Sequence, residues 1–201
     1  PSMGKTSLAL NIADHVAVEE RVPLAIFSLE MSASELTKRM LCSRARVNSQ
    51  RLKSSFKEDD TWQRLSEAAG DLTSASIFID DNADIGIMEL RSKIRRLAAQ
   101  HDIGLVIVDY IQLMASDRRL ENRVQEIASI SRGLKIIGRD FNIPVIAVSQ
   151  LSREPEKHNR APILSDLRES GAIEQDADLI FFIHREEGRD LDDTEARARV
   201  R

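Results

Sequence analysis

At 201 residues, 42% hydrophobic and 31% charged, the chain has one domain's worth of length and enough apolar content for a sizeable core, which excludes a disordered tract. A net charge of −4 excludes a chain-wide basic footprint, so nucleic acid would have to be held by a local patch or an assembled channel. The single cysteine, Cys42, excludes an internal disulfide or cysteine-based zinc site and suits a reducing cytosol, and no apolar run or signal peptide points to a membrane.

The chain opens on Pro1-Ser2-Met3-Gly4-Lys5-Thr6-Ser7. Gly-Lys-Thr entering an amphipathic run is the second half of the phosphate-loop pattern G-x-x-x-x-G-K-[ST]. The first glycine of that pattern falls before Pro1, so the chain reads as a fragment of a longer protein. Gly4 lets the backbone pass close to a phosphate, and its N–H and those of Lys5 and Thr6 lie unpaired at the positive end of a helix. Lys5 has the reach for β- and γ-phosphates, and the Thr6 hydroxyl suits Mg²⁺. Leu8, Ile12 and Val16 recur four apart and predict a helix over 4–20 with those side chains facing the core. His15 is expected at its surface.

Residues 23–29 form a short apolar run fit for a buried strand, ending at Glu30-Met31-Ser32. Ser32 and Glu35 have capping-box spacing for a helix over 32–46. Residues 48–75 read as short helical pieces between polar turns, with Trp62 and Leu65 packing them down. A strand over 76–80 ends at Asp80 and Asp81, which fit turn formers and caps better than a metal site. Ile87, Leu90, Ile94 and Leu97 predict a helix over 86–101. Residues 104–109 make the strongest strand, closing on Asp109. A helix over 120–141 is expected to turn Val124, Ile127, Leu134, Ile137 and Phe141 inward. A strand over 145–150 ends on Gln150. A polar loop (151–166), a short segment (167–176), a last strand (177–183) and a charged tail complete the chain.

Helices alternating with fully apolar strands predict an α/β fold, a mainly parallel sheet with helices on both faces. Ligands of such sheets bind at the carboxyl ends of the strands. Glu30, Asp109 and Gln150 all fall at strand ends and are expected to converge with Lys5 and Thr6. Asp109 after four apolar residues fits the carboxylate that holds Mg²⁺. Glu30 suits a base for water attacking the γ-phosphate; capping the helix after it is the competing reading. Gln150 suits a γ-phosphate sensor.

The blocks Ser2 to Ala9, Phe27-Ser28-Leu29-Glu30-Met31-Ser32, Val106 to Met114, Val148-Ser149-Gln150-Leu151-Ser152-Arg153 and Asp166 to Asp178 resemble, in order and over nearly the whole chain, the DnaB family of bacterial replicative helicases. The resemblance implies a RecA-like P-loop core over 1–201, read as a single motor domain. It implies ATP hydrolysis with Mg²⁺, a homohexameric ring moving 5′ to 3′ on single-stranded DNA, primase and a loader as partners, and a bacterial cytoplasmic setting. Carried over, Ser2, Met3, Gly4, Lys5, Thr6 and Ser7 bind nucleotide, Thr6 and Asp109 bind the metal, and Lys5, Glu30 and Gln150 serve catalysis. Arg39 matches a nucleotide-site arginine, with an i,i+4 pair to Glu35 as the alternative.

Arg168, Glu169 and Gly171 match the loop that contacts the DNA backbone. Arg168 suits a phosphate, and Glu169 would act through its N–H or between subunits. Arg118, Arg119 and Arg123 either line the same channel or form a solvated basic face. No aromatic lies in 167–178, so backbone tracking without base stacking is expected. Three pieces of the family pattern are missing: the strand and glycine before Pro1, the K-x-R element expected beyond Arg201, and the primase-binding domain. The isolated chain is therefore expected to hydrolyse ATP poorly and not to unwind DNA. The rival readings are a phage- or plasmid-encoded helicase of the same family, a RecA-like ATPase of recombination or clock type, which the 166–178 block argues against, and an inactive fragment.

Overall fold

The computed structural model describes residues 4–49, 59–115, 122–152, 158 and 160–184, with the backbone alone for Asp59 and for 168–170. Four strands form one parallel sheet in the order β2-β1-β3-β4: β1 (Leu24–Ser28), β2 (Ile77–Asp80), β3 (Leu105–Asp109) and β4 (Val145–Val148). Every residue of β1 and β3 is buried, as expected for the centre of a sheet covered on both faces. Alternation along these strands divides the core in two. Ala25, Phe27, Val106 and Val108 meet α4 (Ile87–His101) and α5 (Arg123–Phe141) through Leu90, Ile94, Ile127, Ile130, Leu134 and Ile137. Leu24, Ile26, Leu105 and Ile107 meet α1 (Lys5–Asp14) and α2 (Ala33–Arg44) on the other face.

The first helix turns a different face inward from the one its large residues mark. Ala9, Leu10, Ala13 and Ala17 are buried, while Leu8 and Ile12 are 45% and 36% exposed. Small side chains at 9, 13 and 17 let the helix axis lie close to β1 and β3, where leucines would hold it away. The last turn, His15–Glu19, widens into a π-helix, and His15 is exposed as expected. Val16 is partly buried against the same core.

Within the segment expected to alternate between short helical pieces and turns, residues 59–74 form one continuous helix, α3 (Asp59–Ser74), while 50–58 lie outside the described residues. Leu65 and Ala68 pack with Ala45 under α2, as the 3–4 spacing of an amphipathic helix dictates, but Trp62 is 63% exposed. Arg44, at the end of α2, ties three elements together. It donates to Asp14 (3.0 Å), Glu19 (3.1 Å) and Asp71 (2.7 Å). Burial disfavours its charge, but the bonds to Asp71, Glu19 and Asp14 outweigh this and raise its pKa above the ordinary arginine value.

Helix α5 starts at Asn122, whose side-chain oxygen accepts from Gln125 N–H at 2.9 Å, and ends at Asn142 in the left-handed conformation (φ 53°). Val124, expected inward, is 48% exposed because it lies in the first turn, before α5 reaches the core. A 3₁₀ turn (Leu164–Ser170) runs into a short helix α6 (Gly171–Asp176). The last expected strand does not form: residues 177–183 pair with no strand among the described residues, and Leu179 and Phe181 are 76% and 81% exposed. Apolar alternation alone does not make a strand where no ladder partner is present. The charged tail from 185 lies outside the described residues.

Candidate functional site

The crevice at the carboxyl ends of β1 and β3 is set by register. Ser28 lies beside Asp109 in the parallel ladder, and Leu29 N–H donates to the Asp109 carbonyl at 2.8 Å. The chain then leaves β1 through a turn closed by the Ser28 hydroxyl, which donates to Met31 C=O (2.7 Å) and accepts from Met31 N–H (3.2 Å). That turn puts Glu30 at the exposed rim of the crevice. Its competing role as a helix cap is filled by others. Ser32 accepts from Glu35 N–H (3.3 Å), and Asp81, from the β2 end, accepts from Ala33 N–H (2.9 Å).

Gly4 caps α1 with φ 89°, a left-handed conformation that any Cβ would strain. No side chain caps this helix among the described residues, and no acidic residue stands in its first turn, an arrangement whose leading N–H groups and dipole favour an anion. From that turn the Thr6 hydroxyl donates to Asp109 Oδ2 at 2.7 Å, across 103 positions of sequence. Asp109 itself is 4% exposed. Lys5 stands beside them, its Nζ 5.9 Å from the Tyr110 ring centroid. Burial pushes the Lys5 ammonium below its ordinary value, while the charges of Asp109 and Glu30 pull it back up. Ser7 is exposed one position further on.

A hydroxyl and a carboxylate oxygen in contact are hard donors of the kind Mg²⁺ takes. No group of three or more His, Cys, Asp or Glu gathers around a metal site among the described residues. Asp80 and Asp81 are occupied otherwise: Asp80 pairs with Lys93 at 2.6 Å and accepts from Asn82 N–H, while Asp81 caps α2.

Gln150 follows β4, one strand from Asp109, and its main chain is bonded to the side chain of Gln112, a residue given no role from sequence. Arg39 pairs with Glu35 at 3.2 Å on the exposed face of α2. Arg123 is drawn into local contacts, pairing with Glu126 at 2.7 Å and donating to the Gln112 carbonyl. Gly171 is exposed in right-handed helical conformation (φ −53°), and among the described residues nothing lies within 4 Å of where a Cβ would stand. Ser2, Met3, Arg118 and Arg119, and the side chains of Arg168 and Glu169, lie outside the described residues.

The segment leading to 168–171 is held by Asp166, 4% exposed, whose two oxygens accept from Arg160 Nη1 and Nη2 at 2.7 Å each. It also accepts from Ile163 N–H (2.8 Å), and Ser152 N–H donates to its carbonyl (3.1 Å). The Arg160 bonds hold the Asp166 carboxyl at about 2, well below its ordinary value. Proximity in sequence to Arg168 was the only signal for this clamp.

The domain model described as DnaB-like helicase C terminal domain matches residues 1–200. The replicative DNA helicase DnaB of Geobacillus stearothermophilus is 47% identical over 189 residues, covering 93% of this chain and 42% of that protein. The replicative DNA helicase DnaC of Bacillus subtilis (strain 168) is 46% identical with the same coverage. Among solved structures, one described as an ATPase domain superposes with a TM-score of 0.89 at 36% identity, covering 96% of this chain and 70% of that one. A DnaB-like replicative helicase, described with its interactions with primase, gives 0.88 at 36% identity over 93% of this chain and 46% of that one. The chain spans less than half the length of the curated relatives it matches. With a RecA-like parallel sheet and the phosphate-loop pair Lys5 and Thr6 brought to Asp109, this chain belongs to the DnaB-like helicase C-terminal domain family.

Proposed function

We propose that the chain is the ATP-hydrolysing motor domain of a bacterial replicative DNA helicase, a cytoplasmic homohexameric ring that moves 5′ to 3′ on single-stranded DNA and works with primase and a loader. The observation that carries the reading is the Thr6–Asp109 hydrogen bond, with Lys5 held between the charges of Asp109 and Glu30. Among the described residues no helix is long and apolar enough to cross a membrane.

Each residue then has a task. Gly4 and the first N–H groups of α1 seat the β-phosphate, with Ser2, Met3 and Ser7 completing the loop. Lys5 pairs with β- and γ-phosphate oxygens, and its partial burial strengthens that pairing. Thr6 and Asp109 hold Mg²⁺, which when bound neutralises charge developing on the phosphates. Glu30 takes the proton of the attacking water, Gln150 hydrogen-bonds the γ-phosphate, and Arg39 exchanges Glu35 for nucleotide. Arg168 pairs with a DNA phosphate, while Glu169 and Gly171 offer backbone N–H groups. Few contacts per subunit suffice when a ring repeats them.

The test is the ATPase rate of the full-length protein, with and without single-stranded DNA, beside Lys5→Ala, Glu30→Gln and Arg168→Ala. Lys5→Ala is expected to abolish hydrolysis, Glu30→Gln to lower kcat by about 10²–10⁴, and Arg168→Ala to remove only the DNA stimulation. Hydrolysis indifferent to DNA would leave the nucleotide site standing and overturn the helicase reading.

A further inference from the structure

The ladder between β3 and β4 ends where Asp109 lies beside Val148. Two residues beyond it, Gln150 has no strand neighbour among the described residues to fix its backbone, yet it is the residue proposed to read the γ-phosphate. The side chain of Gln112 supplies what the ladder lacks. Its Nε2 donates to Gln150 C=O at 3.1 Å, and its Oε1 accepts from Gln150 N–H at 3.2 Å. A primary amide thus meets one residue's main chain as a neighbouring strand would. The second Nε2 proton goes to Ser149 Oγ at 2.8 Å. Three of the four hydrogen bonds open to that amide are made, all to the 149–150 segment.

Gln112 is itself anchored. It lies in a 3₁₀ turn (Ile111–Leu113) that begins two residues after Asp109 and is seated by Ile111, 1% exposed. Its carbonyl accepts from Arg123 at the start of α5, and Arg123 is in turn paired with Glu126. On the far side, Ser152 N–H bonds to Asp166, the residue clamped by Arg160 before the 168–171 loop. The chain itself links Asp109 to the turn that carries Gln112, Gln112 bonds to Gln150, and two residues on Ser152 N–H bonds to Asp166.

We infer that Gln112 is a positioning residue for the nucleotide reaction: it fixes the Gln150 backbone to the segment that follows Asp109, so that the Gln150 side chain meets the γ-phosphate and a shift there is passed toward the 164–171 segment. The inference rests on the proposed sensor role of Gln150.

Gln112→Glu tests it with least change of shape. A carboxylate still accepts from Gln150 N–H but has no proton for Gln150 C=O. Gln112→Leu removes both bonds. The full-length protein is assayed for kcat and KM with and without single-stranded DNA, beside Gln150→Ala and the Gln112→Leu/Gln150→Ala double variant. A misplacement near 1 Å is expected to lower kcat by roughly 10- to 100-fold, with KM nearly unchanged and DNA stimulation reduced. The double variant is expected to be no worse than Gln150→Ala alone. A purely structural role would instead lower the melting temperature without this kcat–KM split; if Gln112→Leu does not fold, Gln112→Glu decides. Full activity in Gln112→Glu and Gln112→Leu beside an impaired Gln150→Ala, or losses that multiply in the double variant, overturn this inference alone. A fully active Gln150→Ala overturns the sensor reading and this inference with it.

Discussion

Replacing Gly133 with alanine sets two effects of similar size against each other. Gly133 lies in the middle of α5, where exchanging glycine for alanine contributes about 0.8–1.0 kcal/mol of helix propensity. The added Cβ would stand 2.4 Å from Ile87 Cγ1 and 3.0 Å from its Cδ1, well inside the roughly 3.5–4.0 Å of normal carbon contact. Ile87 cannot swing away freely, because it is β-branched, opens α4 and packs on the core. Relief requires an off-rotamer Ile87 or separation of α4 from α5, at about 1–3 kcal/mol. The clash wins: Gly133→Ala is expected to destabilise by about 1 kcal/mol, close to 2–4 °C for a domain this size. In an Ile87→Ala background only the Cβ at 3.5 Å remains, so the same substitution should stabilise by up to about 1 kcal/mol. Urea unfolding of the four members of that double-mutant cycle measures the coupling, expected near 2 kcal/mol. Stabilisation by Gly133→Ala in the native background, or a coupling near zero, would refute the reasoning.

Arg44→Ala removes three charge-assisted bonds from partly exposed carboxylates and should cost about 1–3 kcal/mol in urea unfolding; no change would mean that solvent replaces them fully. The Asp166 carboxyl is depressed to about 2 from 3.8, so its contribution is fully present above 3.8 and is lost as pH falls through 2. The gap in urea midpoint between wild type and Asp166→Asn should therefore be constant from pH 7 to about 4.5 and close below it; a gap that persists unchanged to pH 2 would contradict the Arg160 clamp. Thr6→Ser keeps the hydroxyl that donates to Asp109 and should retain most ATPase activity, whereas Thr6→Val keeps the shape without it and should lose the Mg²⁺-dependent activity.

The strands were legible because β1 and β3 are apolar at every position before their closing Ser28 and Asp109, the pattern expected of a sheet covered on both faces. Lys5, Thr6 and Asp109 were legible because their types and places match phosphate chemistry, and the structure brings Thr6 to Asp109. Helix phase was harder. In α1 the large residues Leu8 and Ile12 mark a face that the alanines beside them deny to the core. In α3 the inward series Leu65, Ala68 and Leu72 was obscured by serine, threonine and glycine, which suggest turns locally but yield to packing under α2. Gln112 and Arg160 were invisible as participants because their bonds depend on where a distant or folded-back segment lies, and no spacing encodes that.

All the strand pairings are parallel, so none can form as a local hairpin. Thr6 and Asp109 come together only after β3 has docked beside β1, with α2, α3, β2 and α4 already threaded between them in sequence. During synthesis Thr6 therefore emerges 103 positions before Asp109, and the proposed metal–nucleotide site is incomplete until then. Pairings this far apart in sequence are of the kind that folds slowly. On the proposed reading, nucleotide would then stabilise the finished domain by mass action, by an amount that rises with the logarithm of its concentration over Kd.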